Sequence, residues 1–180
     1  VEIIAGSAIL NGADGAIIGR GSYGRGGTSN VGTTAFAADI NADGTMEVVT
    51  GNALYDKFGN TIWYNGQSDG YVAAADFDND GLGEIVVMYA GTVRLQDDDG
   101  TVLWTNSINN ASTYYGGPPT VADFDGDGEP EVGVAGQSNY TVFDTDGTML
   151  WVRSTQDSSS GNTGSAVFDF EGDGVAEVVY

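Results

Sequence analysis

Short apolar runs of four to six residues, rich in Val, Ile, Tyr and Trp, recur along the whole chain between segments rich in glycine and aspartate. Runs of this length punctuated by Asp-Gly predict β-strands joined by hairpin turns. No stretch sustains a 3.6-residue period, and 29 glycines oppose helix throughout. The expected fold class is all-β.

The runs also come in a fixed order. A small-residue run (Thr34 to Ala38, Tyr71 to Ala75, Pro119 to Ala122, Ser165 to Phe168) leads into an acidic segment. A β-branched run follows, at Val48 to Gly51, Ile85 to Met88, Val132 to Ala135 and Val178 to Tyr180. Then comes a hairpin with glycine at its turn: Leu54 to Trp63 around Gly59, Leu95 to Trp104 around Gly100, and Phe143 to Trp151 around Gly147. Each unit thus predicts four antiparallel strands, a to d, with the acidic segment joining a to b. These segments start at 39, 76, 123 and 169, giving spacings of 37, 47 and 46. Four strands in about 45 residues is the pattern of a β-propeller blade. A β-solenoid stack is the alternative, although its repeats are usually shorter and lack a hairpin in each turn.

The expectation is one repeat domain over residues 1–180 with about four units, a segment of a larger propeller. Glu2-Ile-Ile-Ala-Gly6 matches Glu47-Val-Val-Thr-Gly51, and Asn11 to Gly19 supplies a c–d hairpin turning at Asp14-Gly15. Both ends are therefore expected to be cut within strand b, and an opening of Val1-Glu2-Ile3-Ile4 reads as processed or trimmed. A four-bladed ring and a strand-swapping protomer stay open as alternatives. Self-assembly through open strand edges is an expected mode of partnership.

The acidic segments carry the chemistry. They are Asp39-Ile-Asn41-Ala-Asp43-Gly44-Thr45-Met-Glu47, Asp76-Phe-Asp78-Asn-Asp80-Gly81-Leu82-Gly-Glu84, Asp123-Phe-Asp125-Gly-Asp127-Gly128-Glu129-Pro-Glu131 and Asp169-Phe-Glu171-Gly-Asp173-Gly174-Val175-Ala-Glu177. An oxygen ligand at every second position, glycine at the sixth and glutamate at the ninth can wrap a backbone around one hard cation such as calcium. The expected ligands are the side chains at positions 1, 3, 5 and 9 and the backbone carbonyl of position 7 (Thr45, Leu82, Glu129 and Val175). An EF-hand is excluded, since it needs twelve residues, a closing glutamate at the twelfth and flanking helices. A turn-only role for Asp, Asn and Gly is the bland alternative, and fourfold repetition at fixed offsets argues against it. The first segment is weakened by Asn41 in place of an acid, and the fourth by the longer Glu171.

Charge changes the picture further. The net charge is -21, from 26 acidic and five basic residues, and 15 of the acids are side-chain positions of the four segments. Four divalent ions would bring the charge to -13. Such a field repels phosphate, so no nucleic-acid partner is expected. No segment nears the roughly 18 apolar residues that span a bilayer, so membrane insertion is not expected either. The chain has no cysteine and no histidine, which removes disulfides, thiolate sites and the common nucleophile–base pairs.

With aspartate-phenylalanine at three segment starts (Asp76-Phe77, Asp123-Phe124, Asp169-Phe170) and a small-residue run before each, the chain resembles FG-GAP or VCBS-type repeats. Those repeats build the integrin α-chain propeller and many large bacterial surface proteins. The resemblance implies a propeller of about seven blades, with roughly four units present here. It also implies up to four calcium ions in the a–b loops on one face, and ligand recognition on the opposite face.

Other residues are less specific. Trp63, Trp104 and Trp151 stand four residues after a hairpin glycine and Gly19 takes that place in the first unit, so packing between blades is expected over sugar stacking. The d–a loops (21–33, 65–70, 106–117 and 154–164) vary most, and Tyr23, Arg25, Tyr114 and Tyr115 are their contact-capable residues. Asn110-Ala-Ser112 and Asn139-Tyr-Thr141 match the N-glycosylation pattern, and Ser158 to Ser160 reads as loop. The expected function is adhesion or scaffolding by a calcium-stabilised propeller segment of a secreted or cell-surface protein. A carbohydrate-binding propeller is the alternative. A calcium-dependent polysaccharide-degrading propeller stands third, and an enzyme is not expected.

Overall fold

In the computed structural model, residues 1–27, 32–108, 116–155 and 163–180 are described. They form seventeen strands and, among the described residues, no helix. The first sheet holds β1 (Glu2–Ala5), β2 (Ala8–Asn11) and β3 (Ile17–Arg20) in that order. The second is β4 (Phe36–Ala38), β5 (Glu47–Val49), β6 (Ala53–Tyr55) and β7 (Thr61–Tyr64). The third is β8 (Tyr71–Ala75), β9 (Glu84–Tyr89), β10 (Thr92–Gln96) and β11 (Val102–Ser107). The fourth is β12 (Thr120–Ala122), β13 (Glu131–Ala135), β14 (Asn139–Phe143) and β15 (Met149–Ser154). The fifth pairs β16 (Ala166–Phe168) with β17 (Glu177–Val179). Every pairing is antiparallel between chain neighbours, as four-stranded propeller blades require.

The inner strands b and c of the second, third and fourth sheets are buried on both faces because each of these sheets is sandwiched between its neighbours. β5, β6, β13 and β14 are buried along their whole length, whereas the outer strand β11 alternates between half-buried and exposed. One core joins the second and third sheets through Val49, Leu54, Val72, Ile85 and Val87. Another joins the third and fourth through Phe77, Val86, Met88, Leu95, Val132 and Val134. Phe124, Val142 and Trp151 meet Val167 and Val178 of the fifth sheet.

The c–d hairpins share one turn. Asp56, Asp97 and Asp144 each donate their N–H to the carbonyl four residues on, at 2.9, 2.8 and 2.8 Å. Their own carbonyls accept from Gly59, Gly100 and Gly147, which adopt φ of 80, 86 and 85°. Each pairing slips by one residue at the turn, the signature of a bulge closed by a left-handed glycine. Each of two such turns is the seat for a tryptophan of the preceding sheet. The indole N–H of Trp63 donates to the Asp98 carbonyl at 2.6 Å, and that of Trp104 to the Thr145 carbonyl at 2.9 Å. Two residues on, the side-chain amides of Asn65 and Asn106 donate to the carbonyls of Gly100 and Gly147, at 3.0 and 2.7 Å. Trp63 and Trp104 are therefore packing residues between sheets. Gly19 has no room for such a ring, because a Cβ there would lie 1.8 Å from the Phe58 carbonyl oxygen. In the first sheet the next hairpin's backbone takes the ring's place.

Candidate metal centre

The four acidic loops join strand a to strand b at one end of the sheets, and their local hydrogen bonds repeat. The carboxylate at position 1 accepts the N–H of the position-6 glycine in all four, Gly44, Gly81, Gly128 and Gly174, at 2.9–3.0 Å. Those glycines have φ of 85, 91, 91 and 94°, a conformation unstrained only for glycine. The position-5 carboxylates of Asp43, Asp80, Asp127 and Asp173 accept the N–H of Thr45, Leu82, Glu129 and Val175. The ninth-position glutamate turns one oxygen back on the loop: Glu47, Glu84, Glu131 and Glu177 accept the N–H of Ile40, Phe77, Phe124 and Phe170.

Two loops gather their oxygens. One oxygen from each of Asp123, Asp125, Asp127 and Glu131 lies within 4.8 Å of the others, and so do those of Asp76, Asp78 and Glu84. Oxygens that share one calcium lie no more than about 5 Å apart, twice the metal–oxygen distance. Glu84 and Glu131 are 1 % and 0 % exposed, and the Oε1 of each, with Asp76 Oδ1, is buried without a hydrogen-bond partner among the described residues. A buried carboxylate oxygen that no donor meets, in a crowd of like charge, stays ionised only with a cation at hand, and without one the group takes up a proton. Burial, with repulsion from Asp125, Asp123 and Asp127, pushes the Glu131 carboxyl up to about 7 despite the bond from Phe124. Burial raises Glu84 and Glu47 too. The residues present fit a bound hard cation.

The outer two loops are built differently. Glu47 is buried too, but the Thr45 hydroxyl that stands 3.4 Å from its Oε1 gives its proton to Asp43 Oδ1 at 2.6 Å, and Asn41 supplies a neutral amide where the second and third loops have an aspartate. In the fourth loop the Asp173 N–H goes to Asp169 rather than to position 3, and Glu171 leans on Glu177, whose charge raises the Glu171 pKa.

Several contributors were not legible as such. Asp97, Asp98 and Asp99 of the third sheet's hairpin bring carboxylates beside the second loop. Burial, then repulsion from Asp97, Asp99 and Asp80, raises Asp98. Their triple-Asp run was the available signal. At the opposite end of the sheets, Asp69 accepts the N–H groups of Arg25, Gly26 and Gly51 at 2.7, 3.1 and 2.9 Å. Arg94, 6 % exposed, donates to the Ser68 and Gly51 carbonyls and to Gln96, and burial lowers its pKa to about 10. Tyr23 and Tyr64 stack at 3.9 Å on that end with both rings half-exposed. Asn139, whose glycosylation pattern the sequence offers, lies within β14 and is 7 % exposed, so its side-chain amide is not presented on the surface of the folded chain. Asn110, Ser112, Tyr114, Tyr115 and Ser158 to Ser160 lie outside the described residues.

Repeated four-stranded blades with acidic a–b loops define a class of repeat protein, and the comparisons name it. FG-GAP-like repeats match residues 76–134 and 123–180, together more than half of the chain. The chain belongs to the FG-GAP-like repeat family. No curated protein matches it. Among solved structures it is similar to the V. cholerae biofilm matrix protein Bap1, with 24 % identity, a TM-score of 0.67, and coverage of 89 % of this chain and 26 % of that one. It is also similar to the Bacillus licheniformis rhamnogalacturonan lyase PL11, at 19 % identity and TM-score 0.56, covering 86 % and 41 % of the two chains. An Agrocybe aegerita lectin that recognises non-reducing terminal N-acetylglucosamine aligns at 16 % identity and TM-score 0.51, covering 99 % and 60 %. These likenesses are of fold. The chain spans less than two thirds of each of these structures' length.

Proposed function

We propose that this chain is a calcium-stabilised repeat module of an extracellular or cell-surface protein, serving adhesion or scaffolding through protein contacts. The observation that carries the reading is the buried pair Glu84 and Glu131, each with one carboxylate oxygen unpartnered among the described residues and aspartates beside it. Calcium suits such loops better than magnesium, because it accepts six to eight irregular oxygens while magnesium keeps its own waters. The second and third loops supply the strongest donor sets. The first contributes Asp39, Asn41, Asp43 and Glu47, and the fourth Asp169, Asp173 and Glu177 with Glu171. Carbonyls at position 7 complete each set. Extracellular modules bind calcium at about 0.1–1 mM, so millimolar calcium would fill them. The fold shared with a biofilm matrix protein supports the extracellular setting.

A carbohydrate-binding role is the second reading, favoured by the exposed Tyr23–Tyr64 stack at the end away from the acidic loops and by fold likeness to a lectin. Two measurements separate them. Calorimetric titration should show calcium binding that magnesium does not match, and that Glu131→Gln weakens. Absence of any calcium heat, with an unchanged melt, would overturn the first reading. Saturable binding to one sugar class on a glycan array, lost in Tyr64→Ala, would establish the second.

A further inference from the structure

We infer that the four acidic loops bind calcium as two coupled pairs, first with second and third with fourth, and that Pro130 separates the pairs. This rests on the calcium reading and concerns how the sites communicate.

The residue at position 8 of each loop directly precedes the glutamate at position 9. In the second loop that residue is Gly83, and its N–H donates to the Ile40 carbonyl of the first loop at 2.8 Å. Ile40 in turn donates its own N–H to Glu47 Oε2 at 3.0 Å. Main chain and hydrogen bonds therefore run without interruption from Glu84 through Gly83 and Ile40 to Glu47. Side chains close the same seam, since a Cβ on Gly83 would sit 3.1 Å from Ile40 Cδ1.

The third and fourth loops repeat the connection. Ala176, next to Glu177, donates its N–H to the Asp123 carbonyl at 2.8 Å. That carbonyl belongs to the peptide group whose N–H, on Phe124, donates to Glu131 Oε2 at 2.5 Å. One peptide thus sits between the closing glutamate of the third loop and the residue ahead of the closing glutamate of the fourth. A Cβ on Gly126 would lie 2.9 Å from Val175 Cγ2, so side-chain contact again accompanies the bond.

Between the second and third loops position 8 is Pro130, which has no N–H to give. The Pro130 carbonyl instead accepts the Thr145 hydroxyl at 2.9 Å, within its own sheet. Each pair therefore holds one loop with an unpartnered buried glutamate oxygen, Glu84 or Glu131, and one weaker outer loop. Calcium at the better site fixes the ninth-position glutamate and the peptide before or beside it. That pre-orders the neighbour and lowers the conformational cost of filling it. One peptide hydrogen bond gained or lost corresponds to a change of about two- to tenfold in the partner site's affinity.

The position-6 glycine amides, Gly44, Gly81, Gly128 and Gly174, provide one reporter per loop. Titration of the ¹⁵N-labelled chain with calcium alone, followed by amide chemical shifts, gives four separate midpoints. Glu84→Gln should raise the Gly44 midpoint two- to tenfold together with Gly81, and leave Gly128 and Gly174 within experimental scatter. Glu131→Gln should do the converse. A complementary variant adds a donor instead of removing a ligand: Pro130→Ala should make Gly81 respond to Glu131→Gln. Equal displacement of all four midpoints by either variant, or movement of the mutated loop alone, would overturn the pairing. Glycine amides that ignore calcium altogether would overturn the calcium reading beneath it, and the two failures are told apart in the wild-type titration.

Discussion

Trp104→Ala tests whether the tryptophans hold neighbouring sheets together or face a ligand. The ring is half-buried in the core between the third and fourth sheets, 6.2 Å from Phe143, and lies against the Gly147 turn. Removing a fully buried tryptophan costs about 3–5 kcal/mol, and partial exposure of this ring places the cost near ~3. Trp104→Phe keeps most of the apolar contact but abandons the bond to the Thr145 carbonyl, a loss of about 1 kcal/mol. Urea unfolding in excess calcium reads both. With a slope of about 2 kcal/mol per molar, the midpoint should fall by about 1.5 M for alanine and ~0.5 M for phenylalanine, with slopes unchanged. An alanine variant as stable as the parent, within about 0.5 kcal/mol, would refute the packing role. Loss of sugar binding in such a variant would instead assign the ring to recognition.

Three further outcomes follow from the geometry. Gly100→Ala should cost more than Gly15→Ala, because both glycines are left-handed (φ 86 and 73°) but only the first would press a Cβ within 2.8 Å of Trp63. The backbone term of about 1–2 kcal/mol is common to both, and equal melting points would contradict the seat described for Trp63. Asp69→Ala removes the acceptor for four backbone N–H groups, those of Arg25, Gly26, Gly51 and, at 3.5 Å, Gly27, so destabilisation of about 2–3 kcal/mol is expected, with faster hydrogen exchange at Gly26 and Gly51. Unchanged exchange there would show that the carboxylate is dispensable. In chelator, Glu131 titrates at about 7 when folded against 4.5 for an ordinary glutamate, so its contribution is full below 4.5 and lost as pH rises through about 7. The metal-free chain should melt higher near pH ~5.5 than near pH ~8, whereas calcium binding should weaken as pH falls. A flat metal-free profile would refute the burial of that carboxyl.

The blade pattern was legible because each strand type has its own composition. Sandwiched strands such as β9 and β13 are continuous apolar runs, and the turn glycines stand at fixed offsets from the aspartates that close the hairpins. The loops were legible for the same reason: Gly44, Gly81, Gly128 and Gly174 can be placed from spacing alone, and their positive φ confirms why glycine is there. Differences among the loops were not legible in full. That Glu84 and Glu131 leave an oxygen unpartnered, while the Thr45 hydroxyl stands beside Glu47 and bonds Asp43, depends on side-chain placement that a shared motif does not encode. Asp69 and Arg94 were missed because their partners are backbone groups 18 to 44 positions away, invisible to any local pattern. Pro130 stood in plain sight at position 8, but its meaning needs the neighbouring loops' hydrogen bonds.

The most direct test of calcium as the staple of this fold is a pair of melting curves, in millimolar calcium and in chelator. At ten times the dissociation constant each filled site adds ~1.4 kcal/mol, so two strong sites contribute about 3 and four about 6. The melting temperature should fall markedly in chelator, return with calcium and return less with magnesium. Superimposable curves in calcium and chelator would contradict the metal-stapled fold, and would leave the acidic loops as turns held by their own backbone hydrogen bonds.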